Sequence, residues 1–194
     1  MRYEEHMTLK DGTVIRLRSL EKTDAGAAIF CLRKVSAETD FLMREVSECG
    51  MTIAQEEDVI ARKAENPREL LLGAFIGDEL LGMAGLNACG PYARVRHRAS
   101  IGLSLLRTYW GKGIGTAMMN ALISAAKDAG YEQLELDAVD NNARAISLYQ
   151  RMGFVRVGQM PKAMKYRDGR YADLMYMVLE LYPSNGENTE FFYP

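Results

Sequence analysis

The sequence predicts an α/β fold in which helices cover a mixed sheet. Three observations lead there. The elements read from hydrophobic periodicity follow the order β α α β β β α β α β β. Two of the strands are joined by Gly77-Asp78, a two-residue hairpin signal. No repeat, low-complexity segment or shift of composition divides the 194 residues. Residues 1–182 therefore form a single domain, and 183–194 form a tail. A domain of this size buries roughly 70% of the surface its unfolded chain exposes.

The elements follow in order. Asp11-Gly12 is a turn, and Thr13 to Arg18 alternates apolar and polar residues as a strand. From Glu21 to Val35, Ala25, Ala28, Ile29 and Leu32 recur at helical spacing. Residues 36–51 lack a period. Thr52 caps a second helix with Gln55 as its capping-box partner, and Asn66-Pro67 ends it. Strands Leu70 to Ile76 and Glu79 to Leu86 make the hairpin. A loop with Cys89-Gly90-Pro91 leads to a strand from Arg94 to Leu105. Gly113 to Ala129 is a helix with Ile114, Ala117, Met118, Ala121, Leu122 and Ala125 on one face, stopped by Gly130. Glu132 to Val139 alternates as a strand. Asp140-Asn141-Asn142 can cap a helix that runs to Met152 and stops at Gly153. Phe154 to Val157 begins a strand. A polar loop carrying Lys162, Lys165 and Asp168-Gly169 precedes the final strand, Tyr171 to Leu181.

Composition excludes several classes. Hydrophobic residues make up 48% and charged residues 26%, ordinary for a globular protein. The 24 basic and 26 acidic residues leave a net charge of −2, so no global positive field exists to hold a nucleic-acid backbone. Three widely spaced cysteines and two histidines make neither a metal site nor a disulfide framework. Reduced thiols, no signal-peptide core and no long apolar stretch point to a cytoplasmic protein without a membrane partner.

The chemistry gathers in one loop, Leu105-Leu106-Arg107-Thr108-Tyr109-Trp110-Gly111-Lys112-Gly113-Ile114-Gly115-Thr116. Glycines between a strand and a helix let successive N–H groups converge, and the helix N-terminus adds to them, so a pyrophosphate is a plausible guest. An ordinary glycine-rich turn is the alternative. The spacing matches neither a P-loop nor the dinucleotide fingerprint, despite Glu135 about 20 residues further on.

This loop resembles the acetyl-CoA signature of the GNAT superfamily of N-acetyltransferases, Gln/Arg-x-x-Gly-x-Gly/Ala, with Trp110, Gly113 and Gly115 at the marked positions. Trp110 departs from the strict consensus, so phosphate binding there falls to backbone amides. The stretch from Asn142 through Ala145 and Tyr149 to Gly153-Phe154 is similar to the superfamily's Asn-x-x-Ala-x-x-x-Tyr-x-x-x-Gly-Phe segment. It starts 27 positions after Gly115, with one helix and one strand between. The resemblance covers roughly residues 13–182.

The resemblance implies a mostly antiparallel central sheet flanked by helices, with two strands splayed apart at a cofactor slot. It implies an acyltransferase, an N-acetyltransferase in which a primary amine of a small molecule or peptide attacks acetyl-CoA directly, through a tetrahedral intermediate. The strand near Leu103 and Leu105 would pair with the pantetheine arm, and one of its N–H groups would hold the oxyanion. The loop Trp110, Gly111, Lys112, Gly113, Ile114, Gly115 and Thr116 would bind the pyrophosphate. Tyr149 would protonate the leaving thiolate, though on its own it could equally pack beside Leu148. Asn142 would either contact the pantetheine or only cap its helix.

The general base is open. An alkylammonium of pKa near 10.4 leaves roughly 0.04% free amine at pH 7. The strand before the loop, His97-Arg98-Ala99-Ser100-Ile101-Gly102, carries no carboxylate. Glu45, Glu48, Asp137 and His97 are the candidates, and each could instead be a solvated surface residue. That gap motivates a rival reading, a non-catalytic acyl-CoA-binding sensor or scaffold. The basic run Arg94, Arg96, His97 and Arg98 should alternate between strand faces as a solvated edge, or as a contact to a CoA phosphate or an acidic acceptor. Met43, Met51, Met160 and Met164 fall in predicted loops, where they could line an adaptable acceptor pocket or pack in the core or a dimer contact. Phe191, Phe192 and Tyr193 in the tail could dock on a partner or on a second subunit of a homodimer.

Overall fold

The structure, a computed structural model, describes residues 1–182. Eight strands and four α-helices alternate along them: β1 (Glu4–Thr8), β2 (Val14–Ser19), α1 (Ala25–Glu38), α2 (Ile53–Glu65), β3 (Leu70–Ile76), β4 (Glu79–Ala88), β5 (Arg98–Leu105), α3 (Ile114–Asp128), β6 (Gln133–Val139), α4 (Ala143–Arg151), β7 (Val155–Lys165) and β8 (Tyr171–Glu180). All eight strands join one sheet in the order β1-β2-β3-β4-β5-β6-β8-β7. Every pairing is antiparallel except the parallel contact of β5 with β6.

Alternation on β3 divides the core. Leu70, Leu72 and Ala74 join the cluster under α3, with Ile114, Met118, Met119 and Leu122. Phe75 and the half-buried Leu71 turn the other way, against Ala25, Ala28, Cys31 and Val35 of α1 and Ile60 of α2. Each fully buried Leu, Ile or Met side chain stabilises the fold by about 1.5–3 kcal/mol. The two helix layers thus cover opposite faces of the sheet, and β5 and β6 pack most of their buried residues into the cluster under α3. At the start of α2 the Thr52 hydroxyl accepts from the Gln55 amide while the Gln55 side chain accepts from Thr52, a closed capping box.

Three readings of the sequence need correction. A strand, β1, precedes Asp11-Gly12. Its residues EEHMT are mostly exposed and carry no apolar alternation, so backbone pairing with β2 defines it rather than burial. The basic run is not strand: Arg94 and His97 lie in turns, and β5 begins only at Arg98. β7 continues to Lys165 through the stretch expected to be a polar loop, so Met160, Lys162, Met164 and Lys165 are strand residues. Pairing with β8 holds them there, with a shift of register between Met160 and Met164. Lys162 sits at that shift with φ 54, and its amide donates to Asp173 Oδ1 at 2.7 Å. The proposed tail contacts of Phe191, Phe192 and Tyr193 lie outside the described residues.

Candidate active site

The site begins where β5 and β6 part. They pair only at Arg98–Gln133, Ala99–Leu134 and Ser100–Glu135, whereas β5 stays paired with β4 as far as Leu105. In an antiparallel ladder alternate residues direct their backbone groups to one neighbour. Leu106 and Cys89 each bond across to the partner strand, which assigns the even-numbered residues of β5 to β4. Its odd-numbered residues therefore aim at β6. The same parity holds on β6, where Glu132 and Asp140 bond to the β8 side. Beyond Ser100, the amides of Leu103 and Leu105 and those of Asp137 and Val139 face an open wedge with no strand between them. Two of the carbonyls there are already engaged: Leu105 accepts from the Trp110 indole at 2.7 Å, and Val139 accepts from the Asn142 amide at 2.9 Å.

At one end of the wedge lies the glycine loop. Gly111 and Gly113 take φ 77 and φ 90, the left-handed region that glycine enters without cost. Gly113 is the N-cap residue of α3 and makes no side-chain cap, so the first N–H groups of that helix remain available. The Trp110 bond to Leu105 ties the loop to the last residue of β5. The Arg144 guanidinium lies 5.5 Å from the Trp110 ring centroid, which brings a cation from α4 beside Gly111. The second helix N-terminus is close by. The Asn142 side chain accepts from the Ala145 amide at 3.2 Å, so the capping role foreseen for it is realised.

The wedge opens into a cavity of about 650 Å³. Of the residues singled out in the sequence, Leu103, Leu105, Trp110, Gly111, Gly113, Gly115, Thr116, Asn142 and Tyr149 line it. Two do not. The Ile114 side chain is fully buried in the core under α3 and can offer only its amide, and Lys112 is exposed, its Nζ 5.2 Å from the Tyr109 ring.

Tyr149 is buried on α4 and tilts against Phe154, with 6.1 Å between ring centroids. Among the described residues its hydroxyl has no hydrogen-bond partner. Burial first, and the charge of Asp137 second, push its pKa up to about 12. Of the four candidate bases, Asp137 alone lines the cavity. Glu45 and Glu48 cap a short 3-10 turn, and Glu45 pairs with Arg167. His97 lines a separate depression with Arg68 and Arg96. Nothing in the sequence marked Asp137 above the others, because its closeness to Tyr149 comes from the adjacency of β6 and α4.

The remaining wall is the end of α1 and the segment after it: Leu32, Val35, Thr39, Phe41, Leu42, Met43 and Arg44. Glu38 accepts the Arg107 amide at 2.7 Å, and Phe41 packs with Val139 and Leu174. The segment thus bridges from the end of β5 to the end of β6. The β7–β8 hairpin straps it down. The Tyr166 hydroxyl donates to the Asp40 carbonyl at 3.1 Å, Arg170 approaches Asp40 at 3.7 Å, and Arg167 donates to Ser47 Oγ at 2.7 Å. Of this wall only Met43 stood out in the sequence as a pocket residue, because residues 36–51 have no period and their ties come from the β7–β8 hairpin, 120 residues further on at Arg167 and Ser47.

Known proteins share the family and the fold. The model of the acetyltransferase (GNAT) family matches residues 37–154. The L-methionine sulfoximine/L-methionine sulfone acetyltransferase of Pseudomonas aeruginosa is 28% identical over 71% of this chain and 80% of its own. The L-amino acid N-acyltransferase MnaT of Escherichia coli is 31% identical over 52% of this chain and 58% of its own. Among solved structures, a GNAT-family acetyltransferase from Streptococcus pneumoniae superposes with a TM-score of 0.82 at 26% identity, covering 86% of this chain and 99% of that one. The Salmonella typhimurium protein yncA, solved with its cofactor acetyl-CoA, shares the fold with a TM-score of 0.77 at 19% identity, over 90% of this chain and 98% of that one. With the wedge, the glycine loop and the matched segment in agreement, the chain belongs to the acetyltransferase (GNAT) family and is an acyltransferase that uses acetyl-CoA.

Proposed function

We propose that this enzyme acetylates the α-amine of a free amino acid. The observation that carries the reading is the wedge, where unpaired amides, the glycine loop at the start of α3 and a buried tyrosine converge on one cavity. The relatives named above for L-methionine sulfoximine, L-methionine sulfone and L-amino acids support the acceptor class.

Acetyl-CoA supplies an acetyl thioester, an electrophilic carbonyl on a sulfur leaving group. The residues fit such a group. The free Leu103 and Leu105 amides offer an extended amide-bearing arm the bonds a missing strand would make. One of them can also steady charge that develops on the thioester oxygen. The amides from Gly111 to Thr116 and the N-terminus of α3 bind a pyrophosphate, and Arg144 adds a positive charge beside them. Asn142 holds the start of α4 in place.

Asp137 takes the proton that the acceptor amine must lose, directly or through one water. The α-amine of a free amino acid keeps its own carboxylate beside it and is more basic than a peptide N-terminus near 7.7–8.0, though less basic than a lysine-like amine near 10.4, so it still needs a group to take its proton. Tyr149 holds its proton at Oη for the departing sulfur. A thiol of pKa near 8.5 requires only assistance, which a neutral phenol supplies.

The test is a continuous assay of CoA release with free amino acids, amino-acid amides, short peptides and diamines as acceptors. Turnover of free amino acids is expected. Turnover confined to peptide N-termini would replace the acceptor class. Tight acetyl-CoA binding with no turnover on any amine would favour the sensor reading.

A further inference from the structure

We infer that Arg44 reads the carboxylate of the amino-acid acceptor, and that the apolar wall around it takes the acceptor's side chain. This rests on the amino-acid reading above and names the residue that would separate an amino acid from any other amine.

Four charged residues line the cavity: Arg44, Asp137, Arg144 and Arg151. Three have tasks within the fold. Arg144 packs over Trp110, Arg151 donates to Ser147 Oγ at 2.7 Å, and Asp137 lies beside Tyr149. Arg44 forms no ion pair or hydrogen bond among the described residues. Glu56 of α2 is the carboxylate whose charge it feels, and the two do not come within ion-pair distance. Glu56 is instead pushed upward by burial, with Arg44 drawing it back. The Arg44 fork is therefore free to take a second carboxylate in bidentate fashion.

Its position suits that task. Arg44 stands on the bridging wall, not on the glycine loop that holds the phosphate end. The residues before it are Phe41, Leu42 and Met43, and Leu32 and Val35 face the cavity from α1. Such a wall accepts an apolar or thioether side chain, and methionine is adaptable in shape. The backbone on both sides of Arg44 is fixed. Asp40 is held by Tyr166 and Arg170, and Glu45 is held by Arg167 and by its own capping box. These ties fix where the Arg44 backbone stands beside the cavity, while its free side chain is ordered only when it binds.

The experiment compares L-methionine with L-methioninamide, which keeps the α-amine and side chain but lacks the negative charge. Saturating acetyl-CoA is used with wild type, Arg44→Gln and Arg44→Lys. Wild type should prefer the acid by about 10-fold or more in kcat/KM, the scale of a charged hydrogen bond. In Arg44→Gln that ratio should fall toward about 1, chiefly through a higher KM for the acid, and Arg44→Lys should restore part of it. Equal losses on acid and amide in Arg44→Gln, or an unchanged ratio, overturn the role of Arg44 while leaving the amino-acid reading intact. Wild type that turns over the amide and peptides but no free amino acid overturns both.

Discussion

The indole Nε1 of Trp110 donates to the Leu105 carbonyl at 2.7 Å. The bond ties the glycine loop to the last residue of the strand that borders the wedge. It also gives a purpose to a residue that departs from the family signature: Trp110 shapes the loop through β5 and carries Arg144 on its face. Trp110→Phe keeps an aromatic face and removes the donor. A net hydrogen bond contributes about 1 kcal/mol, so KM for acetyl-CoA should rise about fivefold with kcat little changed. Steady-state kinetics with varied acetyl-CoA read this. An unaltered KM would mean that the loop holds its shape without the bond.

Tyr149 should act as a proton donor over the whole working range. A phenol at its ordinary value near 10 begins to ionise from about pH 9. With its pKa pushed up to about 12, Tyr149 stays neutral there. Tyr149→Phe should lower kcat by about 10²-fold at pH 8, with a smaller effect on acetyl-CoA affinity. The alkaline limb of the wild-type profile should show no loss from this group below pH 10. Stability follows with a definite sign. The folded pKa exceeds the unfolded one, so the contribution is intact below pH 10 and is lost as pH rises through about 12. Wild type should therefore lose stability more steeply than Tyr149→Phe between those values in denaturant titrations. Equal turnover would refute the donor role, and parallel curves would refute the upward shift.

Asp137→Asn keeps the shape of the side chain and removes its charge. The defect should depend on pH in a way that identifies a base. Near pH 7 most of the acceptor α-amine is protonated, and turnover should fall about 10²-fold. As pH rises toward about 10 a growing share of the amine is free without a base, and the ratio of wild type to variant should shrink severalfold. A defect constant across that range would make Asp137 a positioning residue.

How much of this was readable in the sequence depends on what defines each element. β3, β4, α2 and α3 announce themselves because burial or capping dictates their residues: Leu70 and Leu72 inward, the Thr52–Gln55 box, Ile114 and Met118 under α3. β1 and the far half of β7 do not, because exposed polar residues such as Glu4 and Lys165 become strand only through backbone pairing with the next strand, which no apolar pattern announces. The site divides in the same way. The glycine loop and Tyr149 sit in local motifs. Asp137 and Arg44 do not, because each gains its place from another element, α4 in one case and the β7–β8 hairpin in the other.

Two glycines of the loop should respond in opposite ways to one methyl group. Gly113 has φ 90, and nothing lies within 4 Å of where a Cβ would stand, so alanine there is strained by the backbone alone. An L-residue held in the left-handed region costs about 1–2 kcal/mol, and at this chain length the midpoint of thermal unfolding should drop by roughly 2–8 °C. Acetyl-CoA affinity should fall as well, because relaxing the strain moves the first amides of α3. Gly115 lies within α3, where a Cβ would meet Leu148 Cδ2 at 3.4 Å and Leu103 Cδ2 at 3.5 Å, ordinary contact distances. Alanine there gains about 0.5–1 kcal/mol of helix stability and fills no forbidden space. Gly115→Ala should melt at or slightly above wild type and still be stabilised by added acetyl-CoA. Thermal melts of both variants with and without the cosubstrate decide the matter. Equal losses in the two would mean that the loop needs both positions bare for close approach of the phosphates, with backbone strain at Gly113 playing no separate part.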